Sequence, residues 1–222
     1  MISKISKILS IPLSLYVCLR LLPFKYAIRI PLLIQYGTSL KRLTGQIILE
    51  EKHPKVFGIQ IGFTENNLFD SRADRCILDI SGILHFKGTA ILGKGTRISI
   101  NPHGKLRFGN HFYNSAKMQI VCNNCIEIGD DCIISWDTLI MDTDLHETKN
   151  TRFGSINNKD GYIYIGHHVW LAARATILKN TRIGNGCIVG AGALVSGDFN
   201  EDNTLIAGVP ASVRKYNIAL NK

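Results

Sequence analysis

The sequence predicts an all-β chain: a coil of short parallel strands that turns after every six residues, behind a short apolar and basic segment that is partly helical. Three observations carry this expectation. Ile165, Leu171, Ile177, Ile183, Val189 and Val195 fall six apart without a slip. Four positions after each of the first five stand Val169, Ala175, Thr181, Cys187 and Ala193, which are small or branched. Between them lie turn formers, with Gly166, Gly184 and Gly190 directly after three of the anchors. A helix would repeat every 3.6 residues and a flat strand every 2, so only a coil with tight, regularly placed corners accounts for the period. In such a coil each anchor fills a narrow interior, and the corners take Gly, Asn and Asp.

Taken in order, residues 1–60 form the basic and apolar segment. Lys and Arg outnumber Asp and Glu by 26 to 17, and Lys4, Lys7, Arg20, Lys25, Arg29, Lys41 and Arg42 meet few acids there. Arg20, Lys25 and Arg29 interrupt the apolar run, which is therefore too short for a spanning helix of about 20 residues. The stretch "LSLYVCLRLLPFK" runs into Leu, Arg and Pro, unlike the small residues of a signal cleavage site, so cytoplasmic residence is expected. Pro12, Pro23 and Pro31 break the segment. It suits either a membrane surface, through residues 1–36 at the inner membrane face, or a helix packed on the domain or a sister subunit.

Residues 61–215 form the coil domain, with coils expected from near residue 75, and 216–222 a tail. The count of six runs through Ile128, Ile134 and Ile140, with weaker registers at Leu92 and Ile98 and at Phe108, Asn114, Ile120 and Ile126. The six cysteines are irregularly spaced, and Cys132 and Cys187 occupy small-residue positions, so they read as reduced core thiols. The "CNNC" at 122–125 lacks the second pair that a four-ligand zinc site needs. No metal is expected.

Continuing the register from Ile128, Ile134 and Ile140 lands on His146. The count then fails through a charged, Asn- and Gly-bearing stretch and resumes at Ile165. Residues 146–164 therefore read as a loop leaving the coil, and loops of that length are usually functional or disordered. His146 stands where the chain departs. Asp142 and Asp144 lie just upstream, and Asp144, two residues away, would share the histidine's side in a strand. Each is also an ordinary turn residue.

The ordered series "IEIGDDCIISWDTLIMDTDLH", "IGHHVWLAARATILKNTRIGNGCIVGAGALVSGDF" and "LIAGVPASVRK" resembles the hexapeptide-repeat acyltransferases. Within them it looks most like the sugar and polysaccharide O-acetyltransferases of the galactoside and maltose branch. That resemblance covers roughly residues 75–215. It implies a left-handed parallel β-helix of hexapeptide repeats, assembly as a homotrimer, and acetyl-CoA as donor. His146 would be the general base, with Asp144 the preferred orienting carboxylate. Residue by residue, the donor contacts fall at Trp170, Ala173, Ala191 and Ser196, and the phosphate contacts around Arg214 and Lys215. Relatives often carry basic residues where this chain has Gly197 and Ser212, so Lys179 and Arg182 become further phosphate candidates. The acceptor region maps to Ser115, Asn123, Asp142 and Trp136.

The implied activity is transfer of acetyl to a hydroxyl of a sugar or glycan precursor between two subunits, with no nucleic-acid partner. Three alternatives stand beside it. One keeps the fold and changes the acceptor to serine or another small metabolite; a second is a non-catalytic scaffold. The third is a zinc protein like the gamma-class carbonic anhydrases, which the adjacent His167 and His168 fit poorly, since neighbours in sequence point to opposite faces.

Overall fold

The computed structural model describes residues 4–64, 68 and 74–220. Three parallel sheets make the walls of a prism. The first holds Leu32–Ile34, Ile59–Ile61, Ala90–Leu92, Phe112–Asn114, Ile133–Ile134, Trp170–Leu171, Ile188–Val189 and Leu205–Gly208. Ala211–Lys215 folds back antiparallel on the last of these. Among the described residues the second and third sheets have seven strands each, running from Ser39–Leu43 to Leu194–Val195 and from Gln46–Leu49 to Asp198–Phe199. The chain visits the sheets in rotation, and each strand pairs in parallel with its equivalent one coil on, as in Ile126↔Ile163 and Ile140↔Ile177.

Backbone torsion explains the count of six. Positive φ, between 50° and 68°, recurs at His111 and Lys117, at Asp131 and Asp137, and at His168, Arg174, Asn180, Gly186 and Gly192. From His168 to Gly192 each six-residue unit thus spends one residue in the left-handed region to turn its corner, where Asn, Asp, His and Gly are least strained. His168 is one of these corner residues, and His167 Nδ1 accepts the backbone N–H of Asp130 at 2.9 Å. The anchors stack inside as one apolar column, and Phe86, Phe108 and Phe112 pack ring against ring at 5.4 and 4.4 Å. Five of the six cysteines are buried and all are free thiols.

The coil starts earlier than expected. Leu32–Ile34 pairs with Ile59–Ile61, and Gln46–Leu49 with Ile83–Phe86, so residues from 32 onward belong to it rather than to a separate segment ending at residue 60. A long connection hid the period: residues 50–58 separate strands that elsewhere follow after one tight corner. Ahead of the coil lie α1 (Lys4–Leu9), α2 (Ile11–Leu21) and α3 (Phe24–Ala27). The Leu32–Ile34 strand is an edge, and an unpaired edge is a liability. Helix α2 lies along it: Ser14 Oγ accepts the N–H of Ile34 at 2.8 Å, and Ser10 Oγ that of Tyr36 at 3.0 Å. Val17, Cys18 and Leu21 close the interior beneath.

Candidate functional site

The chain leaves the prism after Leu139–Met141 of the second sheet and re-enters at Tyr162–Ile165 of the third. It does so as a built arm rather than a structureless loop: Thr148–Lys149 and Ile156–Asn157 pair antiparallel. Its neck is pinned from both strands. Gly161 N–H donates to the Asp142 carbonyl (2.7 Å), Asp144 N–H to that of Lys159 (2.8 Å), and Thr143 Oγ1 to Asp160 Oδ1 (2.6 Å). Leu145 turns the chain at φ 62° while its N–H donates to Thr143 Oγ1 at 2.9 Å. His146 is the next residue, exposed in the single chain, at the neck of the arm and not its tip.

The two aspartates stand in different surroundings. Asp142 is fully buried and accepts the backbone N–H groups of Asn123 at 2.7 Å, Asn124 at 2.9 Å and Cys125 at 2.8 Å. Burial pushes its carboxyl above the usual range against the pull of those three donors. This corrects its assignment to substrate, because a carboxylate that closes the "CNNC" corner has no face left to offer. Burial, and after it the charge of Asp142, push the Cys122 thiol up, which disfavours the reactive thiolate. Asp144 is exposed and pairs with Lys179 Nζ at 2.6 Å, and the same ammonium donates to the Asn158 carbonyl at 2.6 Å. Among the described residues no hydrogen bond joins Asp144 to His146. Lys179 is thereby a clamp across the neck and not an open phosphate ligand. Arg182 likewise lies over the rings of Tyr162 and Tyr164, at 5.1 and 4.9 Å.

Asn123 belongs to the same corner. Its amide donates to Thr143 Oγ1 (3.2 Å) and Asp160 Oδ1 (3.0 Å), and its carbonyl accepts from Asn101. The side chain expected to hold an acceptor hydroxyl is therefore occupied in bracing the arm. Thr143, Asp160 and Asn101 are positioning residues that sequence reading missed, and Lys179 is one it read as a phosphate candidate. Their only signal was polarity at corners, which any turn shares.

The other expected residues stand elsewhere on the prism. Trp170 lies on the first sheet, beside Ile133, and its indole N–H donates to Ser135 Oγ at 3.1 Å. Trp136, Ala173 and Ala191 occupy the corner between the first and second sheets, as does Ser115 one coil before Trp136. Ser196 is exposed just past Val195, on the corner between the second and third sheets that carries His146. Arg214 and Lys215 are exposed on the final antiparallel strand, with Arg214 Nε donating to the Ala207 carbonyl at 3.2 Å. One chain thus presents His146 and Ser196 on one corner, Ala173 and Ala191 on another, and Trp170 on the wall of the first sheet. Among the described residues no group of three His, Cys, Asp or Glu side chains gathers as a metal site.

Comparison with known proteins agrees with this architecture. The family model described as bacterial transferase hexapeptide (six repeats) matches residues 162–197. WbbJ of Escherichia coli K12, named for O-acetyl transfer in lipopolysaccharide biosynthesis, is 31% identical over 151 residues, spanning 64% of this chain and 76% of that protein. The galactoside O-acetyltransferase of Lactococcus lactis is 30% identical over 113 residues, and this chain spans about half (52%) of its length. The crystal structure of the polysialic-acid-specific acetyltransferase NeuO superposes with a TM-score of 0.57, covering 85% of this chain and 78% of that one, at 19% identity. That last likeness speaks for the fold, the left-handed β-helix. By its repeat, its fold and its kinship with WbbJ, the chain belongs to the hexapeptide-repeat acetyltransferases.

Proposed function

We propose that the protein moves an acetyl group from acetyl-CoA to a hydroxyl of a sugar or glycan precursor, with His146 as general base. The observation that carries the reading is the arm: its neck is braced by Asp142, Thr143, Asp160 and Lys179, and His146 stands exposed directly beyond that bracing. Bracing of that kind holds a reacting group to the tolerance that acid–base chemistry needs. Relatives named for lipopolysaccharide and galactoside O-acetylation support a carbohydrate acceptor. We place its source in surface-glycan synthesis, with residues 1–36 at the membrane.

In the transfer, the acceptor oxygen attacks the thioester carbonyl as its proton passes to His146. The carbonyl oxygen takes up negative charge, which a backbone N–H stabilises. As the tetrahedral centre collapses the C–S bond breaks, the acetyl stays on the acceptor oxygen, and the CoA sulfur leaves with the proton returned by the imidazolium. No covalent enzyme intermediate forms. Trp170, Ala173, Ala191 and Ser196 are the side for the pantetheine arm, with Arg214 and Lys215 for phosphate.

The site is shared between subunits in this reading. His146 stands on the corner between the second and third sheets and Trp170 on the wall of the first, so a neighbour brings the second surface to the first. The arm is suited to reach that neighbour, since Phe153 and Ile156 near its tip are 75% and 66% exposed in the single chain. Thiol release from acetyl-CoA with a panel of sugars tests the proposal. His146→Ala is expected to lose about 10²- to 10⁴-fold in kcat. Equal release by both proteins would sink the assignment of His146, and release no faster than without protein would favour a non-catalytic scaffold.

A further inference from the structure

We propose that the helical cap of residues 4–29 docks the protein on an anionic membrane surface, lying in the plane of the interface with the coil axis rising from it. The proposal deepens the membrane contact taken above and rests on it for residues 1–36. It needs nothing from the chemistry at His146.

The cap has two faces. Ser14, Val17, Cys18 and Leu21 of α2 are buried toward the first coil. The opposite stripe, Pro12, Tyr16, Leu19 and Arg20 at helical spacing, is exposed, so it points away from the protein. Ile8, Leu9, Phe24 and Ile28 are exposed beside it, Phe24 at 72%. Single exposed apolar side chains are ordinary, but this many on one short cap form a patch that marks a contact surface.

Charge chooses the occupant. Lys4, Lys7, Arg20, Lys25 and Arg29 are all exposed on the same cap, and the first acid in the sequence is Glu50. Lys25 Nζ sits 4.6 Å over the Tyr26 ring and Arg29 bonds the His53 imidazole at 3.2 Å, so both keep their charge uncompensated by a carboxylate. Apolar and aromatic groups flanked by cations, with no acid among them, complement acyl chains beneath anionic headgroups. A second copy would set these cations against one another, and an apolar protein partner would leave them without a counter-charge. Among the described residues no helix is long and apolar enough to cross a membrane, so the contact lies in the plane.

Position in the fold fits the same role. Because α2 covers the edge strand Leu32–Ile34, the patch forms the end of the prism rather than a side wall. In a trimer whose axis follows the coils, three such ends face one way and bind as one multivalent base. The His146 arm leaves the fifth coil, about 19 Å along the axis from the first at the strand spacing of a sheet, clear of the headgroups.

Flotation of the full chain with vesicles tests this. It is expected to bind vesicles of phosphatidylcholine with about a third phosphatidylglycerol and to release as salt rises. The triple variant Lys7→Gln, Arg20→Gln, Lys25→Gln should bind about a hundredfold more weakly, at roughly fivefold per charge, and Phe24→Ser should also weaken binding. Both should release thiol from acetyl-CoA as the native protein does. No binding to the anionic vesicles, or equal binding by the triple variant, overturns the proposal. So does end-to-end pairing of assemblies that Phe24→Ser dissolves while vesicles stay unbound. Vesicle binding without acetyl transfer would overturn the catalytic reading alone, and transfer without vesicle binding this one alone.

Discussion

Asp142 and Asp144 differ by two positions and by everything else. Alternation in an extended chain sends both to one side, yet the corner falls between them, so Asp142 turns inward under the backbone of residues 123–125 while Asp144 reaches out to Lys179. A carboxylate receiving three backbone N–H groups is a structural part whose removal strands those donors. Asp142→Ala is expected to lower unfolding stability by about 3 kcal/mol, given roughly 1 kcal/mol or more for each unsatisfied group, readable as a fall in the denaturant midpoint. The KM of whatever variant remains folded should hold, whereas a substrate-binding role would raise it. His146 shows the reverse case. The count of six predicted where the chain departs, and the structure adds that its neighbours, and not the histidine, carry the bracing bonds.

Each coil is marginal alone and is held by the next, so ties between coils matter most at the ends. In the first coil Arg42 reaches Asp79 of the second, with Nε to Oδ1 and Nη2 to Oδ2 both at 2.8 Å. The hydrogen-bonded guanidinium holds the Asp79 carboxyl below its ordinary value. A depressed carboxyl contributes stability that is present above its unfolded pKa and lost as pH falls through the folded one. Arg42→Ala should therefore lower Tm at neutral pH, and the gap from the native protein should close in acid, below the unfolded carboxylate value of about 3.9. A gap that persists there would mean that the arginine stem, and not its charge, supports the coil. The elements between were legible where corners are one residue tight, as from Ile165 to Val195. They were not legible from Leu32 to Ile61, because longer connections erase a period that only tight corners create.

At the scale of the whole molecule, the separation of His146, on a corner, from Trp170, on the wall of the first sheet, becomes a prediction about assembly. If each site draws one surface from each of two subunits, two inactive variants can complement each other. Mixed assemblies of His146→Ala with Trp170→Ala, unfolded and refolded together at equal amounts, should regain about a quarter of native activity, since one site in four pairs two intact surfaces by chance. No recovery would place both residues in a site within one chain. By itself the sequence determined the coil, its period, the departure at His146 and the basic, apolar character of the first residues. These are local properties, written in spacing and in charge along the chain. The tertiary structure alone decided that residues 32–60 are coil, that Asp142 and Asn123 brace a corner, that Lys179 clamps the arm, and that α2 turns one greasy stripe inward and another out. Each of those depends on which residues lie one coil apart, about 20 positions away in sequence, and spacing along the chain says nothing of contacts made across it.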